Sequence, residues 1–273
     1  MRANDRTGCV TFDLWETLIF DEPDRDEARG RERYEGLQHE LANRGIDLPM
    51  AAIKRGYDES AVRLQEVWQR NEEVPIPDQI RMILQLAAGR PINVSPAWMQ
   101  SLEKAYVDPI LATPPKLNTE APKVLSELRN RGYKIGLISN TGRSPGEALR
   151  KLLQTYEILK FFDATIFSNE LRCRKPDQRI FNEAARLLGS ELANIVHVGD
   201  DPTTDVAGAK HAGMHAILLD QDTEDVSKWK PDSLFALARK ARRYGNSNVE
   251  PDLRIKSLTE SVGFVDSLFM GTG

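Results

Sequence analysis

Apolar positions along the chain fall into two rhythms. Cys9-Val10-Thr11-Phe12 is β-branched and aromatic and stops abruptly at Asp13, which predicts a short buried strand. After Phe20 the period becomes helical. Tyr34, Leu37 and Leu41 share one face of a heavily charged stretch from Asp21 to Glu40, with Gly45 placed to stop the helix. Met50, Ile53, Tyr57, Ala61, Leu64 and Trp68 then recur at steps of three and four. Pro75-Ile76-Pro77 interrupts that pattern. Ile80, Ile83, Leu84 and Ala87 mark a third helix, and Ser95-Pro96 starts a fourth carrying Trp98, Leu102 and Tyr106. Residues 21–112 therefore read as a small helical bundle.

From Thr113 onward, helices alternate with short apolar strands. Thr119–Arg131, 145–154, Ile180–Leu188 and Val206–Ala212 read as helices; Tyr133–Ile138, Ala164–Phe167, Asn194–Val198 and Ala216–Leu219 read as strands. Such alternation predicts a parallel sheet wrapped on both faces. The strand at 9–12 resembles these and is assigned to the same sheet. The predicted fold class is thus α/β, a Rossmann-like parallel sheet core of residues 1–20 and 113–273 with an inserted α-helical cap domain of residues 21–112. Ser233–Arg243 reads as an amphipathic helix whose cluster Arg239, Lys240, Arg242 and Arg243 is a solvated face, and Leu253–Ile255 reads as a last edge strand.

Composition narrows the function by exclusion. The 273 residues carry 37 Lys+Arg against 41 Asp+Glu, a net charge of −4, so charge alone points to neither a nucleic-acid nor an anionic-membrane partner. No apolar run approaches the roughly 18 residues of a membrane span. Met1 to Cys9 holds basic residues without an apolar stretch, unlike a secretory signal. Cys9 and Cys173 form no CxxC or paired framework, which fits two ordinary thiols in a reducing cytoplasm.

Sheets of this kind bind ligands beyond the carboxyl ends of their strands. Four such loops carry chemistry here: Asp13-Leu14-Trp15-Glu16-Thr17-Leu18, Ser139-Asn140-Thr141-Gly142, Arg172 to Asp177 with Lys175 inside it, and Gly199-Asp200-Asp201-Pro202-Thr203-Thr204-Asp205. Carboxylates brought together raise one another's pKa unless a cation intervenes. A hard divalent ion such as Mg²⁺ does so with oxygen ligands beside a substrate phosphate. Ser139, nearby backbone N–H groups and Lys175 supply donors for the remaining phosphate oxygens. Such a set suits phosphoryl transfer, with an aspartate as a candidate covalent nucleophile.

In order and content the four loops resemble the haloacid dehalogenase-like hydrolase superfamily: Asp-x-x-x-Thr-Leu at 13–18, Ser139-Asn140, Lys-Pro-Asp-x-x-Ile-Phe at 175–181, and Gly-Asp-Asp-x-x-x-Asp at 199–205. The resemblance spans residues 9–220 and makes the helical insertion a type-one cap. It implies that Asp13 is the nucleophile, that Ser139 and Lys175 hold phosphoryl oxygens, and that Asn140 orients them. It further implies that Asp200 binds Mg²⁺ with Asp13 and the backbone carbonyl of Trp15, supported by Asp201 or Asp205. The substrate class implied is a small soluble phosphate ester or anhydride.

Trp15 departs from the phosphatase pattern, in which a second aspartate two residues after the nucleophile acts as general acid and base. Indole has one N–H donor and no titratable proton near neutral pH. General acid–base help is worth about 10²–10⁴ in rate. Glu16 is a candidate substitute, as is a leaving group that needs no proton. Dehalogenases of the family carry an aromatic residue at this position, so a 2-haloacid dehalogenase and a catalytically silent phosphate-binding protein stand as alternatives. Other polar residues have plainer readings. His197 is structural, within a strand, and His211 and His215 are too isolated for a zinc site. Trp68 and Trp98 belong to the helical core, and Cys173, between two arginines, is a bystander thiol.

Overall fold

The computed structural model describes residues 8–220, 228–231, 233, 234, 236, 237 and 248–270. The basic cluster Arg239, Lys240, Arg242 and Arg243 lies outside them. Six parallel strands form one sheet: β1 (Cys9–Phe12), β4 (Lys134–Ser139), β5 (Ala164–Phe167), β6 (Ile195–Gly199), β7 (His215–Leu219) and β8 (Leu253–Ile255). Their order is β5-β4-β1-β6-β7-β8, so the first strand lies inside the sheet, where all four of its residues are buried.

Side chains alternate between two apolar layers with the period of two that a strand imposes. Val10, Phe12, Leu137, Val196, Val198 and Ile217 face one layer. It is closed by α6 (Ala121–Asn130), α7 (Gly146–Thr155) and a helix the sequence pattern did not suggest, α11 (Glu260–Phe269). Cys9, Ile138, Ile166, Ile195, Ala216 and Leu218 face the other. There α9 (Gln178–Leu188) supplies Ile180, Phe181, Ala184 and Leu188. The short helices α8 (Ser168–Leu171) and α10 (Gly208–Ala212) complete the connections.

Between the first two strand-end loops lies the helical segment. Its helices are α1 (Pro23–Ala42), α2 (Met50–Trp68), α3 (Ile76–Ala88), α4 (Pro96–Val107) and a single extra turn, α5 (Pro109–Ala112). Leu37, Leu41, Ile53, Ile80, Ile83, Leu84, Trp98, Leu102 and Tyr106 form an apolar cluster of their own. Trp68 is not part of it, which corrects the assignment from periodicity. It sits at the last residue of α2 with the Arg174 guanidinium 4.6 Å above its ring. A neck joins this segment to the sheet: β2 (Ile19–Phe20) pairs antiparallel with β3 (Lys116–Leu117). Asn118 reinforces it, donating its side-chain N–H to the Thr17 carbonyl at 2.9 Å. Two-residue strands are too short to leave a periodic signal. Among the described residues no helix is long and apolar enough to cross a membrane.

Leu102 is fully buried in the helical cluster. Leu102→Ala is expected to cost about 2–5 kcal/mol of stability in urea denaturation. Leu187→Ala, at a side chain 45 % exposed, is expected to cost less than about 0.5 kcal/mol.

Candidate active site

At the carboxyl end of β1 the sheet order reverses, with β4 and β5 on one side and β6 to β8 on the other. Such a switch point opens a crevice between diverging loops. Asp13 enters it held by its own backbone, whose N–H donates to the Val198 carbonyl at 2.9 Å. Lys175, in the loop before α9, reaches the same point. Its Nζ donates to Asp13 Oδ1 at 2.6 Å, to Asp205 Oδ1 at 2.5 Å and to the Ile138 carbonyl at 2.9 Å. All three side chains are buried.

Each partner is positioned from behind. Both heteroatoms of the Asn140 carboxamide engage the Lys175 main chain: Oδ1 accepts from its N–H at 2.8 Å and Nδ2 donates to its carbonyl at 3.0 Å. Asn140 thereby fixes the lysine loop. Asp205 stands in a π-helical turn, Pro202–Ala207, and its Oδ2 accepts from the Asp201 N–H at 3.0 Å. Asp201 itself caps that turn, accepting from the Thr203 and Thr204 N–H groups. Gly199 is required where Asp205 folds back, because a Cβ there would lie 2.3 Å from the Asp205 carboxyl carbon.

His197 and Thr11, opposite one another on β6 and β1, extend the chain of contacts. His197 Nε2 lies 3.1 Å from Asp205 Oδ1 and Nδ1 lies 2.9 Å from Thr11 Oγ1. Burial pushes His197 below the ordinary histidine value and keeps it neutral, so Nε2 carries the proton toward Asp205 and Nδ1 accepts from Thr11. Sequence reading placed His197 in a strand but missed this positioning role. The signal available was the strand register that sets Thr11 beside it.

Burial pushes the Asp13 carboxyl up to about 7; Lys175 opposes this, while Asp205 and Asp200 add to it. Burial also pushes Asp205 upward, but the Lys175 ammonium and His197 outweigh it and hold Asp205 below the usual carboxylate range. Burial would lower Lys175, yet the two carboxylates keep it above its ordinary value. Carboxylate oxygens of Asp13, Asp200 and Asp205 all lie within 4.8 Å of one another. These clustered carboxylates offer hard oxygen donors, and that donor chemistry fits a divalent cation such as Mg²⁺.

Ser139, the last residue of β4, is fully buried beside this group. Trp15 is half-buried, packs against the sheet core and lines the cavity above Asp13. Glu16, also lining it, is buried with φ of 60°, a left-handed conformation unusual for a long side chain. The cavity, of about 590 Å³, runs from Asp13 and Lys175 to Arg33, Tyr57 and Trp68 of the helical segment. Apolar periodicity gave no hint of Arg33 here, because it marks only the face of α1 that carries Tyr34, Leu37 and Leu41. Cys173 is buried and burial raises its thiol pKa, as suits an unreactive thiol.

Residues 7–213 match the haloacid dehalogenase-like hydrolase family, and residues 172–259 match a second profile of the same superfamily. The chain belongs to the haloacid dehalogenase-like hydrolases. Among curated relatives it is 36 % identical over 107 residues to glyceraldehyde 3-phosphate phosphatase of Methanothermobacter thermautotrophicus, 38 % of this chain and 45 % of that one. It is 32 % identical over 105 residues to phosphoserine phosphatase of Thermus thermophilus, 38 % of this chain and 41 % of that one. The chain thus spans less than half the length of these relatives. Of solved structures, a 2-haloacid dehalogenase from Pseudomonas syringae superposes with a TM-score of 0.62 at 22 % identity, covering 94 % of this chain and 96 % of that one. A HAD phosphatase from Thermococcus onnurineus gives 0.57 at 21 % identity, covering 94 % and 97 %. At that identity the likeness is one of fold.

Gly199→Ala is expected to lower stability by about 1–3 kcal/mol, because the new methyl displaces the Asp205 carboxylate. Gly263→Ala, in α11 with nothing within 4 Å of its Cβ, is the control and is expected to gain up to about 1 kcal/mol. Urea midpoints of the two variants moving in the same direction would refute the close-approach argument.

Proposed function

We propose that the chain is a Mg²⁺-dependent phosphohydrolase acting on a small soluble phosphate ester or anhydride through an aspartyl-phosphate intermediate. The observation that carries this reading is the clustering of Asp13, Asp200 and Asp205 at the sheet's switch point, with the Lys175 ammonium bridging Asp13 and Asp205. The relatives that act on glyceraldehyde 3-phosphate and phosphoserine support a small phosphorylated substrate. Neither a nucleic acid nor a membrane is part of the reading.

An Asp13 carboxylate oxygen attacks phosphorus, forming the acyl-phosphate bond as the ester oxygen departs with its electron pair. Water then attacks that phosphorus, releasing inorganic phosphate and restoring Asp13. Lys175 and Ser139 donate to the phosphoryl oxygens, while Asn140 keeps the lysine loop in place. Asp13, Asp200, Asp205 and the Trp15 backbone carbonyl are the groups that would hold Mg²⁺, which when bound neutralises the charge on the transferring phosphoryl group. Residues 21–112 act as a cap that excludes water and shapes the substrate cavity.

Trp15 cannot protonate the leaving group, which favours acyl or aryl phosphates and leaves Glu16 as the nearest candidate acid. An aromatic residue at this position also keeps a 2-haloacid dehalogenase in view, with Asp13 attacking carbon. Three clustered carboxylates argue for phosphorus, since an ion is needed to relieve them.

Phosphate release from a panel including p-nitrophenyl phosphate is expected to require Mg²⁺ and to vanish in Asp13→Asn. Halide release from 2-chloropropionate with no phosphate release would overturn the reading. Trp15→Asp is expected to raise turnover of alkyl phosphates by about tenfold or more, given the rate worth of a general acid. Absence of any gain would point to Glu16 as the proton donor or to a leaving group that needs no proton.

A further inference from the structure

Four guanidiniums line the cavity that holds Asp13 and Lys175: Arg29, Arg33, Arg143 and Arg174. All are buried. Two of them have carboxylate partners within the protein. Arg29 sits against Asp21 and Asp26, and Arg174 against Glu73. Arg33 and Arg143, each only 4 % exposed, form no ion pair among the described residues.

Their acceptors are all neutral. Arg33 donates to the Tyr106 carbonyl at 3.1 Å and to Ser144 Oγ at 2.8 Å, and reaches Tyr57 Oη at 3.5 Å. Arg143 donates to Tyr106 Oη at 2.7 Å, and to the Tyr57 carbonyl and Ser60 Oγ at 2.9 Å each. Its guanidinium carbon lies 3.9 Å from the Tyr57 ring centre. The two guanidiniums thus share Tyr57 and Tyr106 at the cavity wall with no carboxylate at ion-pair distance among the described residues, Asp26 acting on Arg143 only from farther off. Charged side chains are almost never buried unpaired, and desolvating an unpaired ion is costly. Neutral oxygens and an aromatic face ease that cost without cancelling the charge. They also hold the two planar forks in place, and a guanidinium fork matches carboxylate and phosphate oxygens.

We infer that Arg33 and Arg143 bind a second anionic group of the substrate, a carboxylate or phosphate carried on the tail remote from the ester cleaved at Asp13. The hydrolase thereby selects doubly anionic phosphate esters. This rests on the phosphatase reading for the ester itself, since the pair lines the same cavity as Asp13. Arg33 comes from the helical segment and Arg143 from the loop after β4, so the anion seats where insertion and sheet end meet. Were the two arginines only straps between these parts, the enzyme would be indifferent to the tail's charge.

Phosphate release by the full chain is measured on glycerol 3-phosphate, 3-phosphoglycerate and propane-1,3-diyl bisphosphate. At least one anionic tail is expected to raise kcat/KM tenfold or more over the neutral one, and which tail does so identifies carboxylate or phosphate. Arg33→Met and Arg143→Met are expected to bring that ratio toward one, mainly through KM. A wild-type ratio near one overturns the inference whatever the variants do, as does a ratio preserved in variants that are folded by circular dichroism. Should the methionine variants not fold, Arg33→Lys and Arg143→Lys, which keep charge but lose the fork, are read by the same ratio with the same two outcomes. Failure of the phosphatase reading is a separate result, no phosphate from any ester including p-nitrophenyl phosphate. In that event malonate and pyrophosphate test the pair directly: a rise in wild-type Tm that is lost in the arginine variants supports it, and no rise overturns it.

Discussion

One buried ammonium organises the end of the sheet. Lys175 lies between Asp13 and Asp205, 2.6 and 2.5 Å from their oxygens, and its remaining proton meets the Ile138 carbonyl. Without it, two carboxylates shielded from water would face each other with only repulsion between them. Much of the surrounding sequence maintains this contact. Asn140 holds the lysine main chain, Gly199 leaves room for Asp205, and neutral His197 joins Asp205 to Thr11 on the central strand. The contact therefore couples β1, β4, β6 and the loop before α9.

Asp200 adds a third carboxylate, with oxygens of Asp13, Asp200 and Asp205 all within 4.8 Å of one another, a set of hard oxygen donors suited to a divalent cation. Across the same cavity, Arg33 and Arg143 form no ion pair among the described residues.

The helical segment contributes through polar contacts as much as through its apolar core. Arg33 to Ser144, Arg143 to Ser60, Gln79 to the Gly142 carbonyl at 3.1 Å and Arg174 to Glu73 tie it to the loops after β4 and before α9. Those loops also carry Ser139, Asn140 and Lys175. Movement of the segment therefore bears directly on the residues around Asp13, through contacts that water can replace more easily than it can open an apolar core.

Strands, most helices and the four loops were legible in the chain itself, because burial on both faces leaves continuous apolar runs and each run ends in a recognisable polar cluster. The same logic identified Asp13, Lys175, Asp200 and Asp205 as neighbours before any coordinates. Local sequence could not show the two-residue neck, nor that Trp68 leaves the helical core to lie under Arg174, since neither has a periodic signature. Nor did it show that tertiary packing turns Arg29 and Arg33 of the heavily charged α1 inward. The reason is physical: strand and helix periods are set by backbone geometry within a few residues, whereas the pairing of a buried charge depends on partners a hundred residues away. Sequence determined the sheet, the order of its loops and the acidic site, and tertiary structure alone decided which charges meet.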